Sequence, residues 1–237
     1  MERSTRTNRH FLLVIFLLLL GVSIFRLNTG YAETKPVNLD ALMLETQKME
    51  AEAGRMTYVL WIPLEFWENA FAQNEGASQG DIDLFLSVFR PYTVMAVLDS
   101  YYESPKKIKY KTEAEIRSSA QLIDSKGNTY LPLEKETINS GATGLLKKFK
   151  PMIEDMMGKA GKNFYFILFP SQNKLGEDFI IPTQDGKFTL MVGEREFKWR
   201  LPLSSLVPAK NCPVCGELFS GAYKFCPWDG TELIESE

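Results

Sequence analysis

Three cysteines and one aspartate near the C-terminus carry the clearest chemical signal in the sequence. Cys212, Cys215, Cys226 and Asp229 follow the spacing C-x2-C-x10-C-x2-D, and these are the only cysteines in the chain. Cys212 and Cys215 belong to the pentapeptide Cys-Pro-x-Cys-Gly, and Cys226 and Asp229 belong to the pentapeptide Cys-Pro-x-Asp-Gly. Each pentapeptide is typical of a tight turn that directs two side chains towards one point. Three thiolates and a carboxylate are a complete tetrahedral ligand set for zinc. The sequence therefore predicts a structural Zn²⁺ site formed by these four residues.

Other chemistries fit the same cysteines. In an oxidising compartment, Cys212 and Cys215, or a more distant pair, would form a disulfide and leave one odd thiol. Paired knuckles of this kind also hold iron in rubredoxin-type proteins, although iron usually takes four thiolates and Asp229 would supply a carboxylate. A catalytic zinc with Asp229 as a labile ligand is a further alternative, and Glu217 is then the nearby candidate for a general base.

The segment resembles a bacterial short zinc ribbon. The resemblance depends on the two pentapeptides and on Thr231-Glu232-Leu233, and it covers about residues 211–234. It implies metal-ligand roles for the three cysteines, whereas Asp229 stands where the common family pattern has a fourth cysteine. A unit this small has almost no core and is not expected to fold without its metal. Four aromatic side chains are predicted to pack over the site: Phe219, Tyr223, Phe225 and Trp228.

The N-terminus has the pattern of a secretory signal. Three arginines precede an uncharged apolar run of 15 residues, 11–25, and small residues at positions 30 and 32 favour cleavage before Glu33. A membrane span needs about 20 residues, so we expect residues 1–32 to be removed as a signal peptide. The alternative is an uncleaved anchor formed by residues 11–25, which would be the only membrane attachment. Both interpretations place the rest of the chain in the periplasm or outside the cell.

The composition excludes several classes of function. His10 is the only histidine in the chain and lies in the leader, so the exported part has no Ser-His-Asp or Cys-His catalytic system and no imidazole ligand for zinc. Removing the four arginines and one glutamate of residues 1–32 changes the formal net charge from −3 to −6. Because binding to phosphates needs a basic surface, nucleic acid is not expected as a partner.

Two pairs of carboxylates are the remaining candidates for catalysis. Glu65 and Glu68 flank a tryptophan and could form the acid and base of a glycosidase, but this spacing on an amphipathic helix is typical of its solvated face. Asp81 and Asp83 follow a glycine and suggest calcium. Without further spaced oxygen ligands, Asp81 is better explained as an acidic residue that caps a helix.

Residues 38–208 are predicted to form an α+β body. Helical periodicity indicates helices over 38–53, 63–71, 81–89 and 140–158, the last kinked or split at Pro151, with a loop over 72–80. Apolar and alternating runs indicate strands over 57–62, 92–98, 106–112, 115–123, 129–133 and 164–169, followed by a hairpin within 188–201. We expect an antiparallel, β-sandwich-like body with inserted helices, in which 164–169 is a central strand. Residues 207–211 would join it to the module at 211–234.

These features predict an exported bacterial envelope protein that binds a protein partner and is not an enzyme. Its zinc ribbon would be a structural clip or a protein-contact module. One alternative is a zinc-dependent or carboxylate-based envelope hydrolase. A second is a redox or metal sensor that uses the three-cysteine, one-aspartate site.

Overall fold

The computed structural model describes residues 37–72, 78–104 and 107–236. The predicted leader, residues 1–32, and the middle of the predicted loop at 72–80 lie outside these residues. The helices are α1 (Leu39–Thr46), α2 (Leu64–Ala72), α3 (Gln79–Phe89), α4 (Glu113–Ser119) and α5 (Ser140–Met157). Within the described ranges, no helix has both the length and the apolar character that crossing a membrane requires.

In the same ranges, twelve strands form three sheets in which all pairings are antiparallel. The strands are β1 (Gln47–Glu52), β2 (Arg55–Ile62), β3 (Tyr92–Ser104), β4 (Lys107–Tyr110), β5 (Ala120–Ile123), β6 (Thr129–Tyr130), β7 (Tyr165–Pro170), β8 (Gly186–Val192), β9 (Arg195–Leu201), β10 (Lys210–Asn211), β11 (Leu218–Phe219) and β12 (Ile234–Glu235). The α+β class predicted from the sequence is therefore confirmed.

The largest sheet has five strands and is organised around β3. Its order is β1-β2-β3-β4, and β7 also pairs with β3. Since β3 has 13 residues, its first half pairs with β7 and its second half pairs with β4. The prediction that 164–169 is a central strand is wrong, because β7 pairs with β3 alone. Its continuous apolar sequence reflects cover on both faces of the sheet and not a central position.

One face of this sheet packs against a second, four-stranded sheet of order β6-β5-β8-β9. The hairpin predicted within 188–201 is confirmed as β8–β9, and its buried face has Phe188 opposite Trp199 and Leu190 opposite Phe197. The ring centroid of Phe188 lies 4.8 Å from that of Trp61 on β2 and 4.8 Å from that of Trp199. Side chains of both sheets therefore meet in one buried core.

The opposite face of the five-stranded sheet is covered by helices. Phe89 of α3 and Leu146 of α5 pack with Val94 of β3 and Leu168 of β7. The protein thus has helices, a five-stranded sheet and a four-stranded sheet in successive layers. Pro151 lies inside α5, which continues through it as one helix, so of the two predicted alternatives, a kink or a split, the split is excluded.

Two stretches differ from their predicted secondary structure. The helix predicted over 38–53 ends at Thr46, and residues 47–52 instead form β1, which a turn at Ala53 and Gly54 connects to β2. The strand predicted over 115–123 begins only at Ala120, because residues 113–119 form α4. A capping box starts α4: Glu115 N–H donates to Thr112 Oγ1, and Thr112 N–H donates to the Glu115 carboxylate.

The last 28 described residues form a third, small sheet of order β11-β10-β12. Its apolar core contains Cys212, Cys226 and Leu233, with Phe219 packed against them, and has no residue in common with the cores of the body. The Lys224 Nζ atom lies 2.6 Å from Asp185 Oδ2 in the loop that precedes β8. The C-terminal segment is thus a distinct packing unit that also contacts the body.

Candidate metal centre

Two turns with the same hydrogen-bond pattern build the centre. In the first, Gly216 N–H donates to Cys212 O (2.9 Å) and Cys212 N–H donates to the residue 217 carbonyl (3.0 Å). In the second, Gly230 N–H donates to Cys226 O (3.0 Å) and Cys226 N–H donates to the residue 231 carbonyl (2.7 Å). Both glycines have positive φ values, 73° and 74°, which explains why glycine ends each pentapeptide.

The two turns bring the four predicted ligands together. One donor atom from each of Cys212, Cys215, Cys226 and Asp229 lies within 4.8 Å of the other three. The Sγ atoms of Cys215 and Cys226 are 3.8 Å apart, and Cys212 Sγ is 3.4 Å from Asp229 Oδ2. A tetrahedral ion with metal–sulfur bonds of about 2.3 Å and metal–oxygen bonds of about 2.0 Å sets these separations at about 3.8 and about 3.5 Å. These two separations match a tetrahedral ion, and the four residues lie close enough together to bind one metal ion.

Asp229 would offer a metal ion one oxygen. Its Oδ1 atom accepts a hydrogen bond from Thr231 N–H at 2.8 Å and is 3.8 Å from Cys212 Sγ. Its Oδ2 atom is the nearer of the two to that thiol. The hydrogen bond from Thr231 orients the carboxylate and lowers the pKa of Asp229 below its usual value. Asp229 would consequently bind a metal as a charged, monodentate ligand.

The thiols do not ionise equally, because a thiolate at Cys212 is favoured and a second thiolate at Cys215 is repelled by it. Burial opposes ionisation of Cys212, but the N–H groups of Cys215 and Val214 outweigh it and lower the pKa of Cys212. At Cys215, the N–H of Glu217 favours ionisation, but burial and the neighbouring sulfurs of Cys212 and Cys226 dominate and raise its pKa to about 11. A dication among these sulfurs would reverse this repulsion and hold all three as thiolates.

The centre has a buried side and an exposed side. Cys212 and Cys226 are buried, whereas Cys215 and Asp229 are exposed. All three cysteines are free thiols in the structure. Two of the ligands thus anchor the site in the small core, and the other two face solvent.

The predicted aromatic cover of the site is mostly wrong. Only Phe219 packs against the buried cysteines. Tyr223, Phe225 and Trp228 are exposed, and the Trp228 indole N–H donates to Glu217 Oε2 at 2.8 Å. The unit is too thin for these rings to be covered by its own chain, so their apolar surfaces remain accessible.

The four candidate catalytic carboxylates lie on two helices, α2 and α3. Burial raises the pKa of Glu65, which is half-buried on α2, while Glu68 is exposed on the same helix. Asp81 is exposed and is hydrogen-bonded to Ser78, the residue that caps α3. Asp83 is also exposed and accepts a hydrogen bond from a glutamine one turn earlier. Three of these four carboxylates therefore lie on solvated helix surfaces.

Sequence reasoning missed a buried ionic cluster in the body. Asp99 on β3 is fully buried and accepts hydrogen bonds from Arg55 Nε (3.1 Å), Arg55 Nη2 (2.7 Å) and Thr57 Oγ1 (2.9 Å). Lys111 Nζ lies 2.9 Å from the same carboxylate. Arg195 of β9 donates to Thr57 Oγ1 (3.0 Å) and so connects the second sheet to the cluster. Because these partners come from distant parts of the chain, no local pattern identifies them.

Compared with known protein families, with curated proteins and with solved structures, the chain matches none of them.

Proposed function

We propose that the protein is an exported bacterial envelope protein whose C-terminal segment is a zinc ribbon acting as a protein-contact module. The observation that carries the proposal is the convergence of Cys212, Cys215, Cys226 and Asp229, whose ligand atoms lie within 4.8 Å of one another. The body, in which two sheets share a core, is a β-sandwich with added helices that supports this module. The export signal at residues 1–32 places both parts in the periplasm or outside the cell.

Zinc is the metal that this donor set favours. Thiolates are soft ligands that select zinc or iron–sulfur chemistry, and a single carboxylate oxygen is common in zinc coordination. Iron in a rubredoxin-type knuckle takes four thiolates, and Asp229 departs from that pattern. Because the small core of the segment includes two of the ligands, metal binding and folding of the ribbon are expected to be one event.

A structural role is favoured over catalysis because all four positions of a tetrahedral ion are filled by the protein. A catalytic zinc keeps one position open for water or substrate. Glu217, the candidate base, accepts a hydrogen bond from the Trp228 indole. Of the four carboxylates proposed for a hydrolase, Glu68, Asp81 and Asp83 lie on solvated helix surfaces. A contact function needs none of these groups, and it uses the exposed apolar side chains of the ribbon.

The metal and thiol content of the mature protein tests this proposal. Residues 33–237 would be exported to a periplasm, purified and compared with Cys226→Ser and Asp229→Ala. We expect one zinc per wild-type chain, three free thiols after denaturation in chelator, and lost or weakened zinc binding in both variants. Wild-type protein with no metal and a single free thiol would contradict the zinc ribbon. Hydrolase activity that is abolished in Asp229→Ala would contradict the non-enzymatic role.

A sensor role is the second candidate, and the exposure of Cys215 favours it. Its Sγ atom lies 3.8 Å from Cys226 Sγ, so a two-electron oxidant could join the two sulfurs and release the metal. A sensor predicts that a mild oxidant releases zinc, that a dithiol reductant restores binding, and that the body stays folded throughout. Zinc release only together with unfolding of the body would exclude this role.

A further inference from the structure

We propose that the exposed surface of the zinc ribbon binds a basic, amphipathic peptide segment of a partner protein. The inference depends on the proposed function, since the ribbon must be folded around its metal. It adds the chemistry of the partner, which follows from the distribution of apolar side chains and of charge on residues 209–236.

Exposed apolar side chains are concentrated on this segment. Fourteen large hydrophobic side chains are exposed in the described part of the chain, and the ribbon, about a seventh of those residues, carries six of them. These are Val214, Leu218, Tyr223, Phe225, Trp228 and Ile234. A soluble protein rarely exposes apolar side chains at this density without a binding role.

The register of the small sheet places two of these side chains on one face. Leu218 of β11 and Ile234 of β12 both lie directly opposite Asn211 of β10. Directly paired residues share a face of a sheet, so Leu218 and Ile234 flank Asn211 on the same surface. Phe219, the neighbour of Leu218, points to the other face and packs on the buried cysteines. The metal core thus covers one face of the sheet and leaves the other face apolar and open.

The two metal-binding turns, residues 212–216 and 226–230, each add one exposed apolar side chain. Val214 and Trp228 occupy the same position of their pentapeptides, directly before the exposed ligand of each turn. Their exposed fractions are 70% and 73%. The hydrogen bond from the Trp228 indole to Glu217 holds the ring in place, so little conformational entropy is lost when a partner covers it.

The charge of the surface identifies the partner as basic. The ribbon has two lysines: Lys224 is paired with Asp185, whereas Lys210 donates to the neutral Tyr223 O at 3.3 Å and keeps its charge. Three exposed glutamates remain, at positions 217, 232 and 235. In addition, a zinc ion neutralises only two of its four anionic ligands. This negative field attracts cationic segments and repels both a second copy of the ribbon and anionic phospholipid headgroups.

A titration with designed peptides tests the inference. The probes are a lysine–leucine amphipathic peptide, its glutamate–leucine counterpart and a lysine–serine peptide that keeps the charge without the apolar face. Trp228, which is 73% exposed, reports binding most directly, since Trp61 and Trp199 are buried and Trp67 is half-buried in the body. We expect a saturable blue shift of fluorescence with the lysine–leucine peptide alone, weakened by added salt. Anisotropy of the labelled peptide gives a second, tryptophan-independent readout.

Variants locate the binding surface. Leu218→Ser combined with Ile234→Ser should weaken lysine–leucine peptide binding roughly tenfold or more while one zinc per chain is retained. Leu175→Ser is the matched control, because Leu175 is 81% exposed but lies in a loop of the body. Equal losses in the control and in the double variant would overturn the inference.

Other outcomes separate this inference from the proposed function. Equal binding of the glutamate–leucine peptide, equal binding to phosphatidylglycerol vesicles, or concentration-dependent dimerisation seen by sedimentation would each overturn the basic-peptide partner. Zinc-loaded protein that binds none of the peptides would overturn it as well, but would leave the zinc ribbon in place. Wild-type protein without zinc would contradict the proposed function itself.

Discussion

Replacing Asp99 by asparagine should destabilise the body strongly. The change keeps the size of the side chain but removes the only buried acidic group, within the described chain, that faces Arg55 and Lys111. Their side chains are 29% and 23% exposed, so solvent cannot fully compensate the lost charge. Asparagine would also offer one acceptor oxygen where the carboxylate binds three donor groups.

The expected loss of unfolding free energy is about 3–5 kcal/mol, the usual consequence of removing one partner from a buried ion pair. For a chain of this size each kcal/mol lowers Tm by roughly 2–4 °C, so we expect a decrease of roughly 6–20 °C. The assay is thermal unfolding at pH 7 followed by near-ultraviolet circular dichroism, with zinc content measured in parallel. Zinc content should stay the same, because the ribbon has a separate core.

The control is Glu113→Gln, which breaks the more exposed pair between Glu113 and Lys135 (2.7 Å). An exposed pair contributes at most about 1 kcal/mol, so Tm should fall by no more than about 4 °C. If Asp99→Asn changes Tm as little as the control does, the carboxylate is not stabilising the fold and the reasoning is refuted.

The same cluster predicts a dependence of stability on pH. Burial disfavours the charged form of Asp99, but Arg55, Lys111 and Thr57 outweigh it and lower its pKa below the ordinary value. A carboxylate with a lowered folded-state pKa contributes its full stability above about pH 4 and loses it as the pH falls towards the folded-state pKa. Wild-type unfolding free energy should therefore decrease below about pH 4. A parallel decrease in Asp99→Asn would assign the effect to other groups.

Three further predictions concern the ribbon, its junction with the body, and the sheet. In a chelator competition, Asp229→Cys should tighten zinc binding because it completes a set of four thiolates. Asp229→Ala should weaken zinc binding by at least roughly 10–100-fold, which is the usual cost of losing a residue that only hydrogen-bonds a metal ligand. Equal affinities of the wild type and both variants would show that Asp229 is not a ligand. Gly221→Ala should speed proteolysis of the linker at residues 207–211 without releasing zinc. The added methyl group would overlap the Pro208 carbonyl oxygen and approach Val207 Cγ2 to 2.8 Å, so the linker would be displaced. An unchanged cleavage rate would contradict this packing. Burial raises the pKa of Tyr58 to about 12, so stability should be constant up to about pH 10 and fall between about pH 10 and 12. Tyr58→Phe should remove that step and the matching change in absorbance at 295 nm, and ionisation of Tyr58 near pH 10 would refute the shift.

The sequence predicted those parts of the structure that depend on residues close together in the chain. The β8–β9 hairpin followed from alternation about one turn, and the four clustered residues of the metal centre lie within 18 positions of one another. The α4 helix was also predictable, because Thr112 and Glu115 have the spacing of a capping box, but the alternating side chains that follow indicated a strand instead. The helix predicted over 38–53 was too long, because the apolar residues in the second half of this segment fit the spacing of a helix as well as that of a strand.

The sequence by itself determined the α+β class, the hairpin and the spacing that brings three thiols and a carboxylate to one point, since short loops leave few alternative geometries. Only the tertiary structure decided that residues 47–52 pair with β2, that β3 organises the large sheet, and that Asp99 meets Arg55 and Lys111. It also decided that Tyr223, Phe225 and Trp228 of the C-terminal segment face solvent. These outcomes depend on which distant segments cover each face, and the free energy of that burial is not encoded in any local window of the chain.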